Sequence, residues 1–189
     1  MAEPRRAIAT YPGAIRVRTV WGGSGQAAAV FALSEVGGSR TDLGELAGPD
    51  PDALCRAELR VESPAGTWTV RLASRVSGAP IAFAWDSVGA LVIAYGFLAH
   101  GFDARTGALR WTHRSGSPLI AVLGSPRLPH VILQAEVETF AILPDGSVAW
   151  RVAHSDVVTA AALVGGALVL TGYSGEAAAL DPFTGRAAR

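Results

Sequence analysis

The sequence contains no lysine, one cysteine and no apolar stretch long enough to cross a membrane as a helix. Without lysine, a phosphate-loop lysine, a Schiff-base lysine and a Ser-x-x-Lys nucleophile are all excluded. With Cys55 alone, no disulfide can form within the chain, and nothing signals an oxidising compartment. The longest uncharged segment, Val157 to Gly175, is interrupted by Gly165-Gly166 and falls short of the ~20 mainly apolar residues of a spanning helix. Two buried strands and a turn account for it better. The opening Met-Ala-Glu-Pro-Arg-Arg leads into no run of signal-peptide length, so a cytoplasmic location is the expectation.

Charge of either sign is also missing in excess, since 16 arginines face 16 acids. The arginines are spread along the chain rather than gathered into a stripe, so neither nucleic acid nor membrane insertion is expected. No Gly-x-Ser-x-Gly elbow is present, and the histidines at 100, 113, 130 and 154 lack the spacing of a local metal pair. Trp21-Gly-Gly-Ser-Gly25 has neither the lysine nor the following helix of a phosphate cradle, and reads as a turn. No catalytic residue, metal or cofactor is therefore assigned.

What the chain does have is 22 glycines, 11 prolines and hydrophobic residues at half of its positions. That suits one packed domain of many short strands with frequent turns. The turns repeat. Asp103-Ala-Arg-Thr-Gly107-Ala-Leu-Arg-Trp111, Pro144-Asp145-Gly146-Ser-Val-Ala-Trp150 and Asp181-Pro-Phe-Thr-Gly185 place Gly107, Gly146 and Gly185 at a constant 39-residue spacing. At the same offset Ile81, Ile120 and Thr159 align, as do Val92, Val131 and Leu170. Each unit reads as two apolar strands, a third ending at the glycine turn and a fourth beginning near the tryptophan, which is the grammar of a propeller blade.

A further copy is expected at the N-terminus, where Ser24-Gly-Gln-Ala-Ala-Ala-Val30 matches Ser174-Gly-Glu-Ala-Ala-Ala-Leu180. The expected fold is all-β and propeller-like, one domain of about four four-stranded units at 5–71, 72–110, 111–149 and 150–189. An acidic insertion, 34–53, interrupts the first unit. Within it Asp50-Pro51 is a helix-start signal. After it, Leu59 and Val61, the Ser63-Pro64-Ala65-Gly66 turn and Trp68 to Leu72 read as a hairpin.

Phe102 to Trp111 resembles the tryptophan-docking motif of pyrroloquinoline-quinone-type propellers, in which the tryptophan of one blade packs over the turn of its neighbour. The last unit resembles a WD repeat, with His154 and Asp156 at its start, Leu170 to Gly175 in its middle and Leu180-Asp181 where Trp-Asp is usual. The quinoprotein resemblance implies a redox cofactor held in about eight blades with a calcium site and a vicinal disulfide. One cysteine and four units do not supply these, so the reading is cofactor-free.

Trp111 and Trp150 are expected to be buried anchors between blades, whereas Trp21, Trp68 and Trp85 lie off that register and are expected to be partly exposed. Asp103 and Asp181 are expected to accept hydrogen bonds from the N–H groups of their turns. Glu136 and Glu138 read as neighbours on one face of a solvated strand. The acids Glu35, Asp42, Glu45, Asp50 and Asp52 form the candidate partner contact, the alternative being a tolerated floppy insertion; removal of Thr41 to Asp50 is expected to leave folding intact and to weaken a partner complex. The functional expectation is a non-enzymatic protein-binding or scaffolding module, with a subunit of a larger assembly as one form of it. The alternative is a ligand-binding or enzymatic propeller using its central channel. The last unit lacks a fourth strand, which predicts self-association or a protein partner unless the N-terminal strand around Ala7 to Thr10 folds back to supply it.

Overall fold

The computed structural model describes residues 3–26, 30–31, 39–44 and 53–188. It is all-β: four sheets follow one another along the chain. The first contains β1 (Arg5–Tyr11), β2 (Ile15–Gly22), β3 (Ser39–Gly44), β4 (Cys55–Ser63) and β5 (Gly66–Ser74), in the spatial order β1-β2-β4-β5-β3. The second is β6 (Ile81–Trp85), β7 (Ala90–Tyr95), β8 (Leu98–Asp103) and β9 (Leu109–Arg114). The third is β10 (Leu119–Leu123), β11 (Val131–Ala135), β12 (Glu138–Ile142) and β13 (Val148–Ala153). The fourth is β14 (Val158–Val164), β15 (Ala167–Gly172) and β16 (Ala177–Leu180), extended by a single bridge from Leu180 to Ala187.

The second and third sheets are four-stranded antiparallel meanders, as the repeat predicts. In the first sheet the hairpin of β4 and β5 closes with Ser63 opposite Gly66. Two features of that sheet differ from the sequence expectation. Gln26 N–H donates to Gly23 O and Val30 N–H donates to Gln26 O with helical spacing, so Val30 does not end a strand as its sequence counterpart Leu180 does; Ala27 to Ala29 lie outside the described residues. The acidic insertion supplies β3, which pairs in parallel along the outer edge of β5 from Ser39 opposite Trp68 to Gly44 opposite Ala73. An unpaired strand edge is a liability, and β3 covers one. The helix-start signal at Asp50-Pro51 lies outside the described residues.

Successive sheets pack face to face through three apolar layers. Leu59, Val61, Val70 and Leu72 of the first sheet meet Leu91, Ile93 and Phe102 of the second. Val92 and Ala94 then meet Val131, Leu133 and Phe140, and Ile132 with Leu123 meets Leu168, Leu170 and Leu180. Strand alternation explains the layering: Leu91 and Ile93 point one way while Val92 and Ala94 point the other. The crossovers are stitched identically. Ser115 N–H donates to Phe97 O and Leu119 N–H to Gly96 O; one sheet later His154 N–H donates to Val137 O and Val158 N–H to Glu136 O.

β1 pairs with β2 of its own sheet, residue for residue from Arg5 opposite Trp21 to Tyr11 opposite Ile15. It therefore does not supply the missing strand of the fourth sheet. Tyr11 Oη–H reaches across to the second sheet and donates to Ala82 O at 2.9 Å. β1 is exposed along nearly its whole length, as are Ala160, Ala162, Val164 and Ala179 of the fourth sheet, so the described parts of the first and fourth sheets do not close on each other and the four sheets form an open arc.

Candidate functional site

The tryptophans set the spacing between sheets. Trp68, Trp111 and Trp150 are each the third residue of the last antiparallel strand of their sheet, and they lie against Gly107, Gly146 and Gly185 of the sheet that follows. A Cβ on Gly107 would come within 2.5 Å of Trp68 Cγ, and one on Gly185 within 2.5 Å of Trp150 Cε3. Gly107 and Gly146 also have φ of +74° and +87°, a region that side chains disfavour. Glycine is thus required twice over, by space and by backbone.

Trp68 is 2% exposed and Trp85 4%, which corrects the expectation that both are partly exposed. The fixed offset conceals the equivalence of Trp68 with Trp111. Ile81 lies thirteen positions after Trp68, whereas Ile120 lies nine after Trp111. Trp21 is half-buried.

The indole nitrogens differ at the three junctions, since Nε1 of Trp111 and of Trp150 is buried without a hydrogen-bond partner among the described residues. Trp68 Nε1–H donates to Ala104 O at 3.2 Å. At the last junction His130 Nε2 lies 2.8 Å from Pro182 O, and because a carbonyl only accepts, that nitrogen carries the proton. The His130 ring meets Trp150 edge-on, with centroids 5.8 Å apart.

Each turn carboxylate accepts locally. Asp103 Oδ1 takes the N–H groups of Arg105 and Thr106 and the Thr106 hydroxyl, and Oδ2 takes Arg110 at 2.8 Å. The Arg110 bond, with these turn donors, holds its carboxyl down at about 2. Asp181 Oδ1 accepts from Phe183 N–H at 2.8 Å. In the middle turn the backbone counterpart of Asp103 is Leu143, whose carbonyl accepts from Gly146 as that of Asp103 accepts from Gly107. That turn is one residue shorter, and its carboxylate, Asp145, instead caps Ser147.

Glu138 is 3% exposed and lies in the third sheet, while Glu136 sits in the bend between β11 and β12. This corrects their reading as a solvated pair on one strand. The Glu138 carboxylate accepts from Gly116 N–H and Arg151, a crossover contact that compensates the burial of its charge. Beside it, Gln134 Nε2 donates to Ala135 O and Glu138 O, leaving Oε1 as acceptor for the Thr139 hydroxyl at 2.6 Å. The Thr139 oxygen then accepts from His154 Nε2 at 2.7 Å. Burial holds the His154 imidazole below its ordinary value. His154 therefore braces the third sheet. Asp156 bridges to the next turn, accepting from Ser174 N–H at 3.0 Å and its hydroxyl at 2.8 Å.

Of the five insertion acids, Asp42 alone falls in a described segment. It is exposed on β3 with Arg40 Nε 3.6 Å away. Glu35, Glu45, Asp50 and Asp52 lie outside the described residues. Among the described residues no cluster of His, Cys, Asp and Glu is arranged to hold a metal, and no helix is long and apolar enough to cross a membrane.

The two ends of the arc differ in chemistry. The outer face of the first sheet carries Arg6, Arg16, Arg18 and Arg60 with Glu58 and Glu62, placed together by the pairings Arg18–Arg60 and Arg16–Glu62. Arg71 pairs with Glu58 at 2.8 Å and lies over the Phe31 ring at 4.6 Å. Arg18 reaches Glu62 at 3.3 Å. The outer face of the fourth sheet carries Val164, Ala162, Val169, Ala179, Ala160 and Thr171, brought together by the registers of β14, β15 and β16. All are exposed or half-buried, and Val164 is 59% exposed. One sheet earlier the cross-strand pair Ile132–Ala141, which occupies the place of Val169–Ala179, is wholly buried.

The chain superposes on BamB from Moraxella catarrhalis with a TM-score of 0.53 at 16% identity, covering 100% of this chain and 50% of that one. A segment of HIRA gives 0.50 at 11% identity, covering 96% and 51% respectively. BBS1N, solved in complex with ARL6DN, gives 0.50 at 14% identity, covering 94% and 51%. The chain spans about half the length of these solved structures. No protein-family model matches it, and no curated protein matches it in sequence. With these neighbours and its four sheets, the chain is a repeat protein of the β-propeller type, whose blades resemble both the tryptophan-docking and the WD kinds.

Proposed function

We propose that this chain is a non-enzymatic protein-binding module that works in the cytoplasm as a subunit of a larger assembly. The observation that carries the reading is the bare outer face of the fourth sheet, an uncharged surface whose counterparts in the preceding sheets are covered. Apolar sheet faces on a rigid scaffold are surfaces for other proteins. Asp42, exposed at the opposite end, is a second contact on this reading, together with Glu35, Glu45, Asp50 and Asp52. BBS1N, by comparison, was solved in complex with ARL6DN.

The test is capture of interacting proteins in parallel by the wild type, by Val169→Glu and by Arg18→Ala, followed by quantitative mass spectrometry. Proteins retained by the wild type and Arg18→Ala but lost with Val169→Glu are the expected result. Equal recovery by all three removes the fourth sheet from the contact. A purified chain that turns over a substrate defeats the non-enzymatic part.

A further inference from the structure

We propose that the outer edge of β9 is a docking site for an extended segment of a partner protein, which adds to the second sheet as a parallel strand and sets a carboxylate opposite Arg114. The proposal rests on the partner-binding reading and gives it a second surface. This one lies between sheets of the same chain, since the first and third sheets flank the second.

The first sheet shows how such an edge is used. β3 runs parallel along the outer edge of β5, with Ser39 opposite Trp68, Thr41 opposite Val70 and Asp42 opposite Arg71. The host strand there reads Trp68-Thr69-Val70-Arg71. β9 repeats it as Trp111-Thr112-His113-Arg114, with tryptophan, threonine and arginine at the same places and the same packing of tryptophan over a glycine of the next sheet. β13 reads Trp150-Arg151-Val152-Ala153 and keeps neither the threonine nor the arginine. The edges of β5 and β9 thus carry one signature, and on β5 it underlies a seated strand.

What differs is cover. Thr69 and Val70 are buried, whereas Thr112 is exposed and His113 half-buried. Among the described residues no strand pairs with the outer side of β9. An edge strand directs alternate backbone N–H and C=O groups away from its sheet, and an extended chain laid beside it satisfies them.

Charge selects the occupant. The residue opposite Arg71 on the inner side is Glu58, whereas the one opposite Arg114 is Leu98. The cross-strand place for a carboxylate beside Arg114 is therefore the outer one, which Asp42 takes beside Arg71 in the first sheet. An arginine on the edge deters pairing with an identical edge and admits a strand that brings an acid. Leu109, 43% exposed at the start of β9, adds an apolar contact. The stretch from Trp111 to Arg114 is short, about 13 Å at roughly 3.3 Å per residue. Binding is therefore reversible and weak.

Amide NMR of the isotope-labelled full chain tests this, with a synthetic peptide of residues 38–45, Gly-Ser-Arg-Thr-Asp-Leu-Gly-Glu, as the probe. The expected result is a saturable shift of the amides from Leu109 to Arg114. Arg114→Glu is expected to weaken binding about fivefold, as is Asp42→Arg in the peptide, and the two together to restore it. Ala153→Glu on β13 is expected to change nothing. Circular dichroism and melting temperature control for folding, and the peptide substitution leaves the protein unaltered. An absence of shifts overturns the proposal, as does equal binding by the wild type and Arg114→Glu. Shifts confined to β5 mean that the peptide exchanges with β3, and β9 amides that shift with protein concentration alone assign the edge to a second copy; either result overturns it too. If the peptide leaves β9 untouched while Val169→Glu still loses a captured protein, the edge fails and the binding-module reading stands. If the peptide docks on β9 and the wild type captures no protein, the edge stands and that reading fails.

Discussion

At the residue scale, the junctions between sheets depend on one indole and one glycine apiece. Trp68 and Trp111 are buried while Trp150 is half-buried, so their truncation should not be equally costly. Removing a large buried aromatic side chain costs about 3–5 kcal/mol. Trp68→Ala and Trp111→Ala are expected in that range and Trp150→Ala below it, as read by urea unfolding. A Trp68→Ala variant as stable as the wild type would mean that the first junction is held by other contacts. A second effect comes from His100, which is 2% exposed, its Nδ1 2.9 Å from the Thr112 hydroxyl. Burial holds its imidazole down at about 4, against an ordinary value of 6.5. The unfolded chain therefore binds the proton first, so this contribution to stability is full above about pH 6.5 and is lost as pH falls toward 4. His113 and His154, also lowered by burial, act in the same direction. Melting temperature should decline over that window in the wild type and more gently in His100→Gln. Parallel declines would show that His100 is protonated in the folded chain. The Asp103 contribution belongs to a lower window, present above its ordinary value of 3.8 and lost as pH drops toward about 2.

At the element scale, the insertion is the place where an expectation must be reversed. Residues 41–50 include four of the six residues of β3, and their removal strips the parallel partner from the outer edge of β5. A loss of about 1 kcal/mol lowers melting by roughly 2–4 °C in a chain of this size. The excised variant should melt at least that much lower and aggregate more readily through the freed edge. An unchanged melting curve would show β3 to be dispensable. The repeats were legible because a glycine with positive φ beneath an indole has few substitutes, so the requirement is written at each turn. β3 was not, because parallel pairing across more than twenty residues leaves no local signature. The match of Val30 to Leu180 misled for the opposite reason: a run of alanines after a Ser-Gly turn suits a helix at least as well as a strand. Of the candidate contact surface little was visible. The apolar run of β14 and β15 read as buried strand, whereas Ala160, Ala162 and Val164 on one face of it are exposed.

At the scale of the whole molecule, stacked repeats draw stability from their own pairing and from their neighbours, nearly additively. The second and third sheets are covered on both faces, whereas the fourth has three strands and one covered face. It should therefore open first. Amide hydrogen exchange read by mass spectrometry on a dilute sample is expected to be faster for peptides spanning 158–172 than for those spanning 131–142. Backbone pairing alone does not create this difference, since β11 and β15 are each paired on both sides by antiparallel neighbours. What distinguishes them is cover: Ile132 is wholly buried, and Val169 in the matching place is not. Equal protection of the two regions at the lowest concentration would mean that the fourth sheet is not the weak end of the arc.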